Sequence, residues 1–446
     1  MCACGEPSTD DIQTLQAVCP CTVLYRKFAM LKLFLSVFLF GVFMSIIDML
    51  FEKEVWELYF LHKKESGNIS QKDLDGLREF IDREKYISVA EKIKNGQSFS
   101  FPRKKLINKS AAGKKRAVYT FNSEENHALK LMSFLLRDYD YLFERNLYSF
   151  RKGSCVKKAV EDILRIKDLD ERYVYRADIS DYFNSVDIDI LLPELEMIFS
   201  DDREFFGFIS SLLTNPYVEY DGEIVCDKKG IMAGVPVSAF LANVYLRDLD
   251  KIFSDRKIPY MRYSDDILVF AKDEAELSES IKTIDNFLYG RRLKINGDKR
   301  CVSGPHEKWI FLGFSYHEGT IDISEVSFGK LKAKMRRKTR SLSRWAARKN
   351  LPGEYAARAF VRRFNTKLYD NPVYGELTWA RWFFPIINTD TTLRKTDEYM
   401  QECIRYLATG KRTKSRYDFK YGDIKNLGYR SLVNEYYRAS AEKQKP

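Results

Sequence analysis

The stretch Pro259-Tyr-Met-Arg-Tyr263-Ser264-Asp265-Asp266-Ile-Leu-Val-Phe-Ala271 sets β-prone apolar runs on either side of two carboxylates. The pattern predicts a hairpin with Asp265 and Asp266 at its turn. Asp-Asp is good turn chemistry in its own right, so the pair taken alone fits structure as well as function. A second segment shifts the balance. Tyr173-Val-Tyr-Arg-Ala-Asp178 is another β-run, and it too ends on a carboxylate within largely apolar surroundings. Two strands that each deliver Asp to one end of a sheet can hold a pair of divalent ions between them. Ions about 4 Å apart can activate an attacking 3′-hydroxyl and stabilise a leaving pyrophosphate oxygen. Oxygen-only ligands and a phosphate substrate point to two Mg²⁺, with Mn²⁺ as the alternative.

Around these segments, strand-like YVEYDG, EIVCDKK and WIFLGFSY alternate with helical periodicity over residues 157–167, 187–200, 238–253 and 274–289. Upstream, residues 51–95 alternate apolar and charged positions at helical spacing. Residues 99–121 mix basic and β-prone residues as a hairpin would, and a helix is expected from about Ser123 to Phe143. No repeat is visible. The order predicts an α+β fold whose antiparallel sheet is covered by helices on one side.

The chain has 446 residues, enough for two or three domains, and is 45% hydrophobic and 31% charged, which excludes wholesale disorder. Its formal charge of +11 is unevenly spread. Residues 331–446 carry 27 Lys/Arg against 11 Asp/Glu, while residues 1–330 carry 47 against 52. All the excess positive charge therefore lies in the last quarter, which suits either a solubilising face or a surface that tracks a phosphate backbone. Residues 330–349 alone hold ten Lys/Arg and no acid, with Leu331, Met335, Leu342 and Trp345 at mostly helical separations. The aromatic run LTWARWFFPIIN further on reads as core in preference to a base-stacking surface.

The first 50 residues differ in character. Leu33–Ile47 (LFLSVFLFGVFMSII) carries no charge but is short for a spanning helix; residues 28–51 reach that length only with one Lys and one Asp included. Membrane anchor, buried helix and an early start upstream of Met49 are the competing readings, with the anchor ranked last. The pairs Cys2/Cys4 and Cys19/Cys21 lack the usual zinc-finger spacing, and the other four cysteines are scattered singly, as reduced thiols are.

The ordered segments between about residues 100 and 320 resemble the motif series of a bacterial reverse transcriptase of the unknown or defence-associated group, related to retron and group II intron enzymes. Asp178-Ile-Ser-Asp-Tyr-Phe183 resembles motif A, Gly230 to Leu246 (GIMAGVPVSAFLANVYL) motif B, and Tyr263-Ser-Asp-Asp266 motif C. The resemblance implies a right-hand polymerase fold, with fingers and palm over 51–325, a basic helical thumb and RNA-binding region over 326–446, and an unassigned segment over 1–50. It implies that Asp178, Asp265 and Asp266 bind the metals with help from the Ile179 carbonyl. Phe183 would be the steric gate against a ribose 2′-oxygen, and Gly234 would let the backbone approach the nascent base pair. Lys109 and Arg116 would grip the triphosphate of the incoming dNTP. Arg151, in Asn146-Leu-Tyr-Ser-Phe-Arg-Lys-Gly153, would touch template phosphate or brace the fingers. Lys299 would be the general acid for pyrophosphate, Phe311 and Gly313 part of a primer grip, and Lys334 and Arg337 contacts to the duplex.

Two departures stand out: Ala233-Gly234 replaces the Gln-Gly usual in motif B, and Ser238-Ala239 replaces Ser-Pro. They weaken any claim to processive copying. The resulting expectation is a cytoplasmic RNA-directed DNA polymerase working on a dedicated noncoding RNA in antiphage defence, and yielding DNA. Alternatives are a retron or intron-derived enzyme, an RNA-templated RNA polymerase, which Phe183 opposes, and a catalytically silent RNA-binding scaffold.

Overall fold

The computed structural model describes residues 44–66, 69–108, 115–369 and 378–443. Its strands are β1 (Arg103–Asn108), β2 (Lys115–Thr120), β3 (Tyr173–Asp178), β4 (Tyr217–Tyr220), β5 (Glu223–Cys226), β6 (Tyr260–Tyr263), β7 (Asp266–Ala271), β8 (Cys301–Ser303), β9 (Trp309–Phe311), β10 (Phe314–His317) and β11 (Thr320–Ile323). They form a central sheet in the order β6-β7-β3-β8, a basic sheet β2-β1-β4-β5, and a small sheet β11-β10-β9. The fold is α+β. All pairs in the central sheet are antiparallel, whereas β1 and β4 run parallel in the basic sheet.

The central sheet is buried on both faces, a correction to the expectation of helices on one side. Alternation along β3 and β7 divides the strands cleanly. Tyr175, Ala177, Ile267 and Val269 enter one core, with Val244, Leu249 and Phe253 of the helix Ser238–Asp255 and Ile284 of the helix Glu274–Gly290. Val174, Leu268 and Phe270 enter a second core with Val160, Trp309, Phe311, Met335 and Phe360. A strand covered twice reads as a continuous apolar run, which is why Ile267 to Ala271 shows no polar alternation.

The second core carries the C-terminal helices. In the helix Glu325–Arg348, Leu331, Met335, Thr339, Leu342 and Ala346 are buried at spacings of three and four, and the lysines and arginines occupy the other faces. Phe383, Phe384 and Ile387 of the aromatic run are buried in the same core, as the core reading required.

Residues 1–43, with the Cys2/Cys4 and Cys19/Cys21 pairs and most of the apolar run, lie outside the described residues. The end of that run is core. Ile46, Ile47 and Leu50 are buried, and Asp202 accepts from the Ile46 amide at 2.8 Å and the Ser45 hydroxyl at 2.7 Å. The stretch 28–51 is therefore not free as a whole to enter a bilayer, and a start at Met49 would remove core residues. Among the described residues no helix is long and apolar enough to cross a membrane.

A fully buried ion pair fixes the catalytic-type hairpin to its neighbouring helix. Arg262 on β6 donates from Nε to Asp250 at 2.7 Å, Tyr260 donates to the same carboxylate at 3.0 Å, and both charged side chains have no exposure. Arg262→Met would strand a buried carboxylate and should cost about 3–5 kcal/mol. The double variant Arg262→Met/Asp250→Leu should recover most of that loss in urea unfolding. Equal losses in the single and double variants would contradict it.

Candidate active site

β3 and β7 pair in a register that sets Asp178 opposite Asp266, with Asp265 one residue earlier at the turn. The turn itself is strained: Ser264 has φ +60, an arrangement held by its neighbours. The Ser264 amide donates to the Ser149 hydroxyl at 2.8 Å, and the Arg262 guanidinium donates to the Ser264 carbonyl at 3.2 Å. Asp265 is tied across the strands, where its carbonyl accepts from the Ile179 amide at 3.1 Å. The three carboxylates thus meet at one end of the central sheet, as the two sequence segments implied.

Asp265 departs from the ordinary carboxylate range. Burial first, then the charges of Asp178 and Asp266, push its carboxyl up to about 6. Two cations answer the other two acids. Lys299 donates to Asp178 Oδ1 at 2.6 Å, and Arg176 donates to Asp266 Oδ1 at 3.0 Å. The carboxylates form an all-oxygen donor set, which fits a hard divalent cation. Among the described residues no three His, Cys, Asp or Glu groups already close into a cage. Lys299 and Arg176 hold two of the acids in place of such an arrangement.

The remaining candidates fall into distinct positions. Phe183 is half-buried beside the acids, and the Asn184 side chain and Phe183 carbonyl accept from the amides of Ala233 and Ile231, at 3.1 and 2.9 Å. Gly234 has φ +101, and a Cβ there would lie 3.0 Å from the Tyr119 carbonyl of β2. Its glycine is therefore explained by close packing against the basic hairpin, a physical reason other than approach to a base pair. Arg116 is exposed on that hairpin, while Lys109 lies outside the described residues.

Arg151 turns inward. Its guanidinium donates to the backbone carbonyls of Leu147 and Asp140, at 3.3 and 3.2 Å, and to that of Glu144, so it braces its own loop and does not face template phosphate. Phe311 is 1% exposed and its ring belongs to the second core, so the ring itself offers no face to a primer. Gly313, at φ +90, makes the turn between β9 and β10, where a Cβ would lie 2.8 Å from the Ser327 hydroxyl. Lys334 and Arg337 are exposed on the basic helix and line a depression of about 300 Å³ with Lys338, Arg363 and Lys367.

Three residues of the site escaped the sequence reading. Arg176 lies two residues before Asp178, hence on the same face of β3, a period-2 signal that was available. Gly230, at φ +52, would place a Cβ 2.5 Å from the Phe183 carbonyl, so only glycine fits beneath the gate candidate. Phe150 is half-exposed at φ +57 with its ring edge-on to Phe183, centroids 6.4 Å apart. Its positive φ is held by the contacts of the neighbouring Ser149, which accepts from the Ser264 amide.

This geometry is what the comparisons with known proteins meet. The reverse transcriptase (RNA-dependent DNA polymerase) family matches residues 89–316, just over half the chain, and spans the acids, the motif B loop and the basic hairpin. The chain belongs to that family. The chain is 24% identical over 161 residues to the Retron Ec86 reverse transcriptase of Escherichia coli, covering 35% of this chain and 49% of that one. The chain thus matches about half the length of that curated relative. Two telomerase structures are similar at a lower level. Apo telomerase from Candida tropicalis, truncated from its C-terminal domain, aligns at 15% identity and a TM-score of 0.41, over 51% of this chain and 55% of its own. Telomerase from Candida albicans with a fragment of telomeric RNA aligns at 12% identity and 0.40, over 79% and 71%.

The raised Asp265 carboxyl sets a pH signature for the chain. The folded value of about 6 exceeds the ordinary 3.8, so the native state holds a proton that the unfolded chain releases. Stability therefore falls as pH rises from about 4 to 6, and the cost persists above. In metal-free protein Asp265→Asn should gain at most about 3 kcal/mol at pH 7.5, given partial solvent screening, and nothing below pH 4. Mg²⁺ should narrow the gap by stabilising wild type only. Identical thermal unfolding at pH 7.5 with and without the substitution would contradict the repulsion.

Proposed function

We propose that this chain is an RNA-directed DNA polymerase that adds dNTPs to a primer 3′-hydroxyl by a two-metal mechanism, on a dedicated noncoding RNA. The observation that carries the reading is the convergence of Asp178, Asp265 and Asp266 at one sheet end, within the span that matches the family. When bound, two Mg²⁺ supply charge that lowers the pKa of the 3′-hydroxyl and offsets the charge of the leaving pyrophosphate. The three carboxylates, with the Ile179 carbonyl, would hold them.

The chain's own residues supply positioning and proton transfer. Lys299, now on Asp178, is half-exposed and long enough to turn to the leaving phosphate once cations neutralise that acid, where it would donate a proton. Arg116 and Lys109 would bind triphosphate oxygens. Phe183, walled by Phe150, would crowd a ribose 2′-hydroxyl. The basic depression at Lys334, Arg337 and Arg363 would track the backbone of the RNA-containing duplex. A cytoplasmic location supplies the dNTPs this chemistry consumes. The antiphage role follows from the resemblance to the defence-associated group.

Protein purified with its native locus tests the proposal when its bound nucleic acid is sequenced and dNTPs with Mg²⁺ are added. A discrete RNA and complementary DNA product are expected. DNA with no complementary RNA would overturn templated copying, and bound RNA without synthesis would leave the scaffold. Asp265→Ala/Asp266→Ala should abolish synthesis and spare RNA binding.

Ribonucleotide use tests the gate separately. Phe183→Val should raise it on the order of tenfold, with a smaller rise for Phe150→Ala, read as the ratio of kcat/KM for rNTP over dNTP. An unchanged ratio in both variants would remove the gate assignment.

A further inference from the structure

One side chain that the polymerase reading does not use ties together three segments on the nucleotide side of the acids. Asn184 lies in the single helical turn Tyr182–Ser185, directly after Phe183. Its Oδ1 accepts from the Ala233 amide of the motif B loop at 3.1 Å. Its Nδ2 donates to the Ala117 carbonyl of β2 and to the Asp181 carboxylate, each at 3.3 Å. The Ala233 carbonyl in turn accepts from the Tyr119 amide of β2 at 2.8 Å. These bonds close a circuit that runs from β2 through Ala233 and Asn184 back to β2.

Few side chains could close it. A carboxamide offers an acceptor oxygen and a donor nitrogen, and here each faces a group of the opposite sense. With two acceptors on Nδ2, both of its hydrogens are engaged, so Asn184 has no donor left for a substrate and acts through its neighbours. Those neighbours are the ones a nucleotide would meet. Phe183 shares the turn, and its carbonyl accepts from the Ile231 amide at 2.9 Å, a second tie to the motif B loop. Arg116, exposed on β2, immediately precedes Ala117. The strand that carries Arg116 and the turn that carries Phe183 are thus joined directly through one half-buried side chain.

We propose that Asn184 is a positioning residue for nucleotide selection, which sets the spacing between the β2 hairpin, where the triphosphate would bind, and the Phe183 ring, which would exclude a ribose 2′-hydroxyl. This rests on the polymerase reading and on Phe183 as its gate. A triphosphate held on β2 fixes where the sugar falls, so the gate discriminates only if its ring stands at a set distance from that strand. Without the Asn184 bonds the turn can shift relative to β2, and a displacement of about 1 Å is enough to change selection.

Single-nucleotide incorporation of a matched rNTP and dNTP, on a DNA primer annealed to an RNA template, tests the assignment. The proteins compared are wild type, Asn184→Ala, Asn184→Asp, Phe183→Val and Asn184→Ala/Phe183→Val. Asn184→Ala should raise the ratio of kcat/KM for rNTP over dNTP about threefold, and should raise KM for dNTP more than it lowers kcat. Asn184→Asp keeps the size and the acceptor but sets a carboxylate against the Ala117 carbonyl and Asp181, so it should shift the ratio the same way even if the alanine variant folds poorly. In the Phe183→Val background the alanine substitution should add little, because the ring it positions is gone. A purely structural role would slow both nucleotides alike. An unchanged ratio in both Asn184 variants, with Phe183→Val raising it, would overturn this proposal alone. So would a rise as large without the Phe183 ring as with it, or complete loss of synthesis in both Asn184 variants, since a spacing residue leaves the chemistry intact. An unchanged ratio in Phe183→Val would remove the gate, and this assignment with it.

Discussion

Three carboxylates brought to the same end of one sheet repel one another, and much of the surrounding structure is arranged to tolerate that. Lys299 and Arg176 each pair with one acid, and the Asp265 carboxyl is raised by its burial first and by the charges of Asp178 and Asp266 second. Beneath them the fully buried Arg262–Asp250 pair fixes β6 to the helix Ser238–Asp255, so the turn cannot relax by moving away. Substitution of a single partner of that pair would release the constraint, because an unpaired buried charge is far costlier than the pair.

The loops next to the acids are built to the same tolerance. Ser149 anchors the Ser264 turn by accepting from its amide, and its carbonyl accepts from Asn243 at 3.0 Å. The adjacent Phe150 is thereby held at a positive φ with its ring against Phe183. Gly230 and Gly234 let the motif B loop pass under the Phe183 carbonyl and against β2 with no room for a side chain. The Phe150–Phe183 contact, the basic hairpin and the Ser264 turn thus form one contiguous unit.

Much of this was legible in the sequence for identifiable reasons. Apolar runs ending on Asp178 and on Asp265-Asp266 specified strands by length and composition, and β3 and β7 follow them closely. The basic helix showed itself by ten cations without an acid, and its buried stripe by its spacing. What stayed hidden depends on contacts between distant segments. The second core behind β3 and β7 could not be inferred, because a run buried on one face and a run buried on both look alike over six residues. Phe311 and Arg151 lie in motif-like segments that predict ligands, yet tertiary packing turns one ring into core and one guanidinium onto backbone carbonyls. The Arg262–Asp250 pair joins residues on different elements, which no local pattern reveals.

The central proposal is that these acids, paired with Lys299 and Arg176, are gathered to hold two cations. Anomalous diffraction from crystals soaked in Mn²⁺ with a primer–template and a non-reactive dNTP analogue tests it most directly. The account predicts two ions about 4 Å apart, bounded by Asp178, Asp265 and Asp266, with Lys299 displaced from Asp178. Density for no ion at these carboxylates, or a Lys299–Asp178 contact that persists with the nucleotide bound, would contradict it.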